Sequence, residues 1–381
     1  MTTTDYEPNV ILETGKYDVV GTRPIRHDGV DKVTGRALYG ADFQSADLLH
    51  AKILRSPHAH ARIKSIDTSK AEAHPGVRAV ATAREFASAE PDEYVNMGEY
   101  TFNLKFLRDN VLARDKVLYK GHAVAGVAAI NAHVAEEAVG LIDVEYEVLS
   151  PVVTVLDALK KDASLLHENL KTERFGQKSD EASNLAKHFQ HRQGDIEKGF
   201  AEAEVVIERE FHTKTVHQGY IEPHNSTVFW NKDGKVTIWC STQGPFEVRD
   251  ATAHILGLHE SDVTLVPMEI GGGFGGKFEP YGEPVAALLS RKTGHPVKII
   301  HTRTEEFEST GPTPGSYIKI RMGATRDGKI VAAQAYLAYE AGAYPGSPID
   351  AGSICVFGPY DIPNVLVDGL DVVVNKPKTS A

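Results

Sequence analysis

Cysteine is scarce in this chain, and its scarcity excludes several architectures. The 381 residues contain only two cysteines, Cys240 and Cys355. Two thiols cannot form a disulfide framework, and they cannot hold an iron–sulfur cluster, which generally needs four thiolates. Both cysteines lie among apolar neighbours in the sequence. We therefore expect both to be small, buried core residues.

Long apolar runs and an excess of basic charge are also missing. No segment approaches the roughly 20 apolar residues of a membrane-spanning helix. The first seven residues, MTTTDYE, lack the basic and apolar regions of a secretory signal. We expect a cytoplasmic protein without a membrane span. The 41 basic and 52 acidic residues give a net charge of −11, which argues against a nucleic-acid partner because phosphate neutralisation needs a basic surface.

The chain is long for a single hydrophobic core, so more than one domain is expected. Residues 1–24 are polar and irregular, and we predict an N-terminal arm. Residues 25–158 alternate strand-like and helix-like segments, which predicts an α+β domain. Residues 159–193 contain many polar and few large apolar side chains, and this composition predicts a linker or a surface excursion. A second domain is predicted for residues 194–381.

Local signals in the second domain are strong. Asp195 precedes an amphipathic stretch at 196–202 and is placed to cap a helix. Two strand-like runs, 226–230 and 236–240, flank a turn that contains Asp-Gly, and this pattern predicts a β-hairpin. A second Asp-Gly turn, at Asp327, predicts another hairpin further along the chain.

The most conspicuous motif is a glycine-rich run, GGGFGGK, at residues 271–277. A strand-like segment precedes it at 263–270. A predicted helix follows at 283–292, with Pro284 in its first turn and Gly294 at its end. Glycines allow the main chain to approach a bulky anionic ligand, and a helix N-terminus offers free N–H groups. The run is therefore predicted to form a loop that holds a cofactor.

Two nucleotide-binding signatures almost match this loop, and each fails at an essential residue. The dinucleotide fingerprint requires an acidic residue about 20 positions downstream, and neither Asp nor Glu occurs between Pro284 and Thr304. Its preceding strand also contains Pro267, which is unfavourable in a central parallel strand. The phosphate-binding loop requires Ser or Thr after its lysine, and Phe278 occupies that position.

The loop instead resembles that of a different family. Residues 270–277, IGGGFGGK, resemble the hallmark loop of the molybdopterin-binding subunit of the xanthine dehydrogenase and aldehyde oxidase family. Segments 31–42 and 55–63 resemble its N-terminal hammerhead domain. Further matching segments are IEPH at 221–224, STQ at 241–243, TRTEE at 302–306 and GAY at 342–344. The resemblance implies an α/β hammerhead domain at 25–158 and the first part of a molybdopterin-binding domain, with mixed sheets and helices, at 194–381.

The resemblance also implies roles for individual residues. The glutamine matching Gln243 hydrogen-bonds an oxo ligand of the molybdenum, and an amide can donate there without coordinating the metal. No direct metal ligand is implied in this chain. Glu222 and His224 match a motif beneath the site, for which a structural role is expected. The expected cofactor-binding positions are Gly272, Gly273, Phe274, Gly275 and Gly276.

The family's sequence normally continues beyond the part that this chain matches. The glutamate that acts as general base lies in that further part, so none of this chain's carboxylates is assigned the role. We expect this chain to be the front half of a split molybdenum subunit, of the type found in nicotinate dehydrogenase. A second molybdopterin-binding subunit would complete the site. The resemblance implies a molybdenum–molybdopterin cofactor in its cytosine dinucleotide form, with 2Fe-2S clusters and FAD on an iron–sulfur subunit and an FAD subunit.

The implied reaction is hydroxylation of an N-heteroaromatic or aldehyde substrate with water as the oxygen source. Purine-specific members carry a glutamate where this chain has Phe278, and an arginine for which residues 350–357 offer no match. The resemblance therefore does not favour a purine. Two alternatives remain open at this stage: an aromatic acyl-thioester reductase of the 4-hydroxybenzoyl-CoA reductase type, and a scaffolding half-subunit without catalytic function.

Overall fold

The computed structural model describes residues 15–97 and 100–380. The chain divides into two compact units, Met1–Leu38 and Tyr39–Ala381. In the first unit, residues 1–14 of the predicted arm lie outside the described residues. Its helix α1 spans Gly29–Thr34 and ends at Gly35, whose φ of 74° is the left-handed conformation common at helix C-termini.

The second unit combines helices and strands along its whole length, which confirms the α+β class. Its helices are α2 (Ser69–Glu72), α3 (Leu104–Val111), α4 (Ala132–Val139), α5 (Val155–Ala158), α6 (Ile196–Glu202), α7 (Pro245–Leu256), α8 (Glu283–Thr293), α9 (Arg303–Ser309) and α10 (Ile349–Cys355), with 3-10 turns at Gly40–Asp42, Ala83–Glu85 and Glu260–Asp262. In the part of the chain that the structure describes, no helix has the length and apolarity needed to cross a membrane.

Within residues 39–97 and 100–380, the strands of this unit form two large sheets and two small ones. They are β1 (Leu49–Arg55), β2 (Ala61–Asp67), β3 (Val77–Thr82), β4 (Tyr94–Met97), β5 (Tyr100–Asn103), β6 (Lys116–Val117), β7 (Ala123–Ala129), β8 (Asp143–Val148), β9 (Lys171–Arg174), β10 (Gln177–Ala182), β11 (Leu185–Gln193), β12 (Val205–Thr213), β13 (Asn225–Trp230), β14 (Val236–Cys240), β15 (Val263–Pro267), β16 (Val297–Ile300), β17 (Ser316–Ala324), β18 (Ile330–Gly342) and β19 (Val365–Val373). The small sheets have the orders β6-β2-β8 and β4-β5.

The first large sheet has the order β15-β14-β13-β16-β1-β7-β3. Its strands come from both predicted domains, because β1 pairs in parallel with β16, with Leu49 opposite Val297. Helix α8 packs on this sheet with its residues from Glu283 to Ser290 all buried. A Cβ atom at Gly126 of β7 would lie 2.5 Å from Val285 of α8, so a glycine is needed where helix and sheet approach closely.

The expected hairpin and helix signals are present in the structure. Strands β13 and β14 pair antiparallel across a turn in which Gly234 has a φ of 89°. Asp195 caps α6 by accepting from two backbone N–H groups. Pro267 ends β15, which is an edge strand of its sheet. An edge strand tolerates proline, because on its outer side no neighbouring strand needs the N–H group that proline lacks.

The second large sheet corrects the predicted linker. Its order is β10-β9-β11-β19-β18-β17-β12, so residues 171–193, which were expected to form a linker or surface excursion, supply three of its strands. Strand β11 pairs with both β19 and β9. The polar composition of this segment misled the prediction, because β9 and β10 are mostly exposed. The two strands pair with each other, and the segment joins the sheet through β11, whose partner β19 lies far along the chain.

The two cysteines differ in environment. Cys240 is buried in the core beneath α8, as expected. The prediction was wrong for Cys355, which is exposed at the end of α10. Its apolar neighbours are divided between core and surface, since Ile354 is exposed as well, and helix geometry turns adjacent residues in different directions.

Candidate functional site

The glycine-rich run forms a tight loop between β15 and α8. Gly272 and Gly275 have φ angles of 97° and 87°, which favour glycine. Phe274 also has a positive φ, of 50°, an uncommon conformation for an aromatic residue. Its side chain is 71% exposed at the tip of the loop. Strained residues of this kind are common at ligand-binding sites.

Contacts with the protein itself explain several of the glycines. A Cβ atom at Gly271 would lie 2.4 Å from Glu222, and one at Gly273 would lie 2.3 Å from the Gln243 side-chain oxygen. At Gly276 it would lie 2.9 Å from the ring of Tyr220. We expected the glycines to make room for a ligand. In the structure, these three make room for the side chains on which the loop rests.

Gln243 is bonded directly to this loop. It follows β14 and precedes α7, and its backbone N–H donates to the carbonyl of Lys277 (2.9 Å). Its side-chain oxygen accepts from the N–H groups of Gly275 (3.0 Å) and Lys277 (3.3 Å). Both contacts require the amide oxygen to face the loop. They therefore leave the amide NH2 group as an outward donor on an exposed residue.

Lys277, the last residue of the loop, binds to the residues beneath the loop. Its ammonium group is buried and donates to the Glu222 carbonyl (2.9 Å), the Glu222 carboxylate (2.9 Å) and the Ser241 hydroxyl (3.0 Å). Three acceptors saturate the three protons of an ammonium group. This lysine therefore stabilises the loop and is not available to bind a phosphate.

Glu222 joins the two ends of the loop. One of its carboxylate oxygens, Oε2, accepts from the Gly271 N–H (2.7 Å) and from Lys277. The same oxygen accepts from the Ser241 hydroxyl (2.6 Å). Burial raises the pKa of Glu222, but the hydrogen bonds from Ser241, Gly271 and Lys277 outweigh it and hold that pKa below its usual range. The structural role expected for Glu222 is consistent with these contacts.

A second buried carboxylate, that of Glu306 in α9, lies beneath this assembly. It accepts hydrogen bonds from the Tyr220 hydroxyl, His224 Nδ1 (2.6 Å), the His224 backbone N–H (2.7 Å) and the Thr310 hydroxyl (3.1 Å). Burial raises the pKa of Glu306, but the hydrogen bonds from His224 and His301 lower it by a larger amount. The pKa therefore lies well below its usual range, and the carboxyl is ionised. Burial lowers the pKa of His224, and this effect is larger than the opposite effect of the Glu306 carboxylate, which raises that pKa.

No role was expected for Glu306 from the sequence, although the segment TRTEE, which matches the family, contains it. The signal available was a helix start, because Thr302 and Glu305 form a capping box. A capping box predicts where α9 begins. It does not indicate that the next residue, Glu306, points into the core.

His224, His301 and Glu306 present atoms within 4.8 Å of one another, a spacing that a metal ion could bridge. Their existing partners argue against one. Both oxygens of Glu306 already accept hydrogen bonds. The Arg55 guanidinium lies 3.2 Å from His301 Nε2, and a cation beside this cluster disfavours a second one. We interpret the three as a buried support for the loop.

The outer side of the loop is open. Phe274, Phe246 and Ile221 are 71%, 65% and 89% exposed. The C-terminal segment forms one wall, since the Ser380 hydroxyl donates to the carbonyl of Gly275 (2.5 Å). The site therefore consists of a rigid floor, an outward amide donor on Gln243 and an uncovered face rimmed by apolar side chains.

This chemistry suits an anionic, oxygen-rich cofactor. The Gln243 amide can donate to an oxygen without competing as a ligand. Gly272, Phe274 and Gly275 have positive φ angles, which are common where the main chain turns around an anion. These residues fit the molybdenum–molybdopterin group implied by the sequence, and they offer it hydrogen bonds without metal–ligand bonds.

Comparison with known proteins agrees with this assignment. The family model described as "Molybdopterin cofactor-binding domain" matches residues 177–381. The model described as "Aldehyde oxidase and xanthine dehydrogenase, a/b hammerhead domain" matches residues 34–150. Both matches confirm the resemblance and the order of the two domain types along the chain.

Similar proteins include the nicotinate dehydrogenase large molybdopterin subunit of Eubacterium barkeri, with 32% identity over 96% of this chain and 81% of that protein. The carbon monoxide dehydrogenase large chain of Afipia carboxidovorans is 34% identical, over 96% of this chain but only 46% of its own length. This chain thus spans about four fifths of the first relative and less than half of the second.

Solved structures give the same result. Quinoline 2-oxidoreductase from Pseudomonas putida 86 superposes with a TM-score of 0.82 at 28% identity, over 95% of this chain and 45% of that one. Aldehyde oxidoreductase from Desulfovibrio gigas gives a TM-score of 0.80 at 27% identity, over 93% and 39%. Together with the loop, Gln243 and the two domain matches, these similarities show that the chain belongs to the xanthine dehydrogenase and aldehyde oxidase family of molybdopterin-dependent oxidoreductases.

Proposed function

We propose that this chain is the front half of the molybdopterin-binding subunit of a molybdenum hydroxylase. The observation that carries the proposal is the orientation of Gln243. Two loop N–H groups hold its amide oxygen, so its NH2 group is directed to the open face where the cofactor would lie. A donor fixed in advance needs no reorganisation when charge develops on the oxygen that it contacts.

The other loop residues would hold the cofactor by shape and by main-chain hydrogen bonds. Gly272 and Gly275 have partly exposed backbone, Gly273 and Gly276 are buried against Gln243 and Tyr220, and Phe274 projects from the tip as an apolar wall. The cytosine dinucleotide form of the cofactor is part of this proposal. When bound, the group supplies the redox centre at which oxygen derived from water is transferred to an electron-poor carbon.

Other subunits would complete the enzyme. The nicotinate dehydrogenase relative, named as a large molybdopterin subunit, is closer in length to this chain than the carbon monoxide dehydrogenase large chain is. This supports a split subunit in which a second molybdopterin-binding polypeptide supplies the general base. Cys240 is buried and Cys355 is exposed, so the two cysteines do not form a site for an iron–sulfur cluster. The electrons would therefore pass to an iron–sulfur subunit and an FAD subunit. We place the whole complex in the cytoplasm.

The proposed substrate is an N-heteroaromatic compound or an aldehyde. Among the similar proteins, one acts on quinoline, one on nicotinate and one on aldehydes, according to their names. The exposed apolar side chains of Phe274 and Phe246 at the open face suit a planar, weakly polar substrate of this kind.

The experiment is a comparison of Gln243→Ala with wild type in the complex purified from its native host. We expect kcat for hydroxylation to fall by about 10²–10³-fold, as for loss of a single oxyanion-stabilising donor, with molybdenum content retained. Gln177→Ala, at an exposed position on β10, is the matched control and should leave kcat unchanged.

Several outcomes would contradict the proposal. A native protein that elutes alone and without molybdenum would exclude the complex. Full activity in Gln243→Ala would favour a scaffolding role for this chain. Reduction of aromatic acyl thioesters by a low-potential donor, without hydroxylation, would indicate the reverse reaction class.

A further inference from the structure

Tyr220 connects the glycine loop to the buried carboxylate beneath it. This residue belongs to the segment between β12 and β13, its side chain is 1% exposed, and no larger side chain among the described residues is buried to this degree. Its ring faces the glycine loop, and its hydroxyl reaches Glu306 of α9. A buried tyrosine hydroxyl usually requires a hydrogen-bond partner. Here that partner belongs to a different element from the one that the ring contacts.

The ring of Tyr220 supports the loop at two points. A Cβ atom at Gly276 would lie 2.9 Å from Tyr220 Cε1, and one at Gly272 would lie 3.0 Å from Tyr220 Cβ. The Lys277 ammonium lies 4.8 Å from the centroid of the ring, within the range of a cation–π interaction. Because closely packed groups leave no gap that could absorb a displacement, a movement of the ring also moves the main chain of the loop.

The part of the loop between these contacts holds Gln243. The N–H of Gly276 donates to the carbonyl of Gly273 (2.8 Å), which closes a tight turn. The N–H groups of Gly275 and Lys277 donate to the Gln243 side-chain oxygen (3.0 and 3.3 Å). The position of the turn therefore determines the direction of the Gln243 amide.

The hydroxyl of Tyr220 fixes the other end of its side chain. It donates to the Glu306 carboxylate and lies 3.3 Å from the Thr310 hydroxyl. Burial raises the pKa of Tyr220, and the negative charge of Glu306 raises that pKa further. The hydroxyl therefore keeps its proton and remains a donor, and a hydrogen bond to an ionised acceptor is stronger than one to a neutral acceptor.

Helix α9 also holds the main chain at Tyr220. The Arg303 guanidinium donates to the carbonyls of Tyr220 (2.7 Å) and Ile221 (2.5 Å). Arg303 begins α9 and Glu306 lies three residues later, so the two side chains extend from the same side of the helix. One helix therefore binds this tyrosine at its carbonyl and at its hydroxyl.

We propose that Tyr220 is a positioning residue for the cofactor site. The hydrogen bond from its hydroxyl to Glu306 fixes its ring beneath the glycine loop, and the ring fixes the direction of the Gln243 amide. Tyr220 acts through Gln243, since it is itself buried. The inference rests on the proposed function, in which the Gln243 amide donates to an oxygen of the cofactor, and it assigns the origin of that orientation to α9.

Hydrogen exchange in Tyr220→Phe tests the role of the hydroxyl, because this substitution keeps the ring and removes the bond to Glu306. In the purified complex, the amides of Gly275 and Lys277 should exchange at least about tenfold faster than in the wild type. Local opening requires less free energy when a contact that holds the segment is lost.

Tyr119→Phe is the matched control. It removes another buried tyrosine hydroxyl, which donates to Asn110 (3.3 Å), and it should leave the exchange of the two loop amides unchanged. Arg303→Lys is a milder second variant at an exposed side chain, for use if Tyr220→Phe does not fold. It removes the paired hydrogen bonds to the Tyr220 and Ile221 carbonyls and should also accelerate the exchange.

The kinetic constants separate positioning from a general loss of stability. Quinoline and benzaldehyde are the probes, one for each proposed class of substrate. With the probe that the wild-type complex hydroxylates, Tyr220→Phe should lower kcat by about tenfold and leave KM unchanged. A misdirected donor weakens stabilisation of the transition state without changing the contacts that bind the substrate.

Several outcomes would overturn the inference. They are unchanged exchange of the loop amides in both Tyr220→Phe and Arg303→Lys, equal effects of Tyr220→Phe and Tyr119→Phe, and a fall in kcat without faster exchange. A wild-type complex that hydroxylates neither probe would contradict the proposed function instead. The exchange rates would then still decide whether Tyr220 holds the loop.

Discussion

At the scale of single residues, the lysine that ends the glycine loop shows how a familiar motif can mislead. In a phosphate-binding loop this lysine reaches the nucleotide. Here Lys277 is 1% exposed, and all its protons are taken by Glu222 and Ser241. Its aliphatic stem and charge stabilise the underside of the loop, above the ring of Tyr220.

Lys277→Met is expected to lower the free energy of unfolding by about 3 kcal/mol or more, because it leaves the Glu222 carboxylate buried without its cation. Denaturant titration of the purified chain measures the change. Lys235→Met is the matched control, since that lysine pairs with Asp262 while remaining 56% exposed, and it should cost less than about 1 kcal/mol. A similar decrease in the free energy of unfolding for the two variants would show that the buried Lys277–Glu222 pair contributes no more than an exposed ion pair.

At the scale of elements, local sequence signals predicted much of the site's framework. The Asp-Gly turns, the cap at Asp195 and the proline and glycine at the ends of α8 all lie where the sequence placed them. Each of these signals acts through φ angles or hydrogen bonds within a few residues. Such signals do not depend on what packs against the element.

The prediction of a linker was wrong because the structure of this segment depends on distant residues. Strand β11 owes its conformation to pairing with β19, which is far along the chain. Only its first two residues, Leu185 and Ala186, are buried; the others are partly buried or exposed, and they include His188, which pairs with Asp368 of β19 at 2.9 Å. A polar strand whose partners are distant has no local signature.

The glycine loop itself gives a prediction at this scale. Gly273→Ala should break the hydrogen bonds between Gln243 and the loop, because the new methyl group would occupy the place of the Gln243 oxygen. We expect the molybdenum content of the purified complex to fall to about a tenth of the wild-type value, as a loosened site loses its pre-organised contacts.

Gly358→Ala is the control for this loop, since its Cβ would lie at an ordinary distance of 3.4 Å from its nearest neighbour. It should leave the molybdenum content unchanged. A normal molybdenum content in Gly273→Ala would mean that the loop can shift without loss of the cofactor, and that the contacts between Gln243 and the loop are not required for loading.

At the scale of the whole molecule, the two parts recognised in the sequence are joined more closely than separate domains would be. Strands β1, β3 and β7 share one sheet with β13–β16. Asn375 adds a second connection. Its side chain is buried, donates to the carbonyls of Ala59 (3.2 Å) and Leu118 (2.9 Å), and accepts from the N–H of Val152 (2.8 Å).

Asn375→Ala should therefore destabilise both parts together, by about 2–3 kcal/mol, because one buried and two partly buried backbone groups lose a partner. Denaturation followed by two probes should show one shared transition at lower denaturant concentration. Asn231→Ala, in an exposed turn where the side chain accepts one local N–H, should cost less than about 1 kcal/mol. Two separated transitions in Asn375→Ala would show that the shared sheet does not couple the two parts.

The sequence by itself determined the turns, the helix ends, the glycine loop and the family, because these depend on residues close together in the chain. Only the tertiary structure decided that β1 pairs with β16 and that Glu306 supports the loop from below. Each of these depends on contacts between segments far apart in sequence. Such contacts are selected by the packing of whole sheets, for which no short run of residues carries a signal.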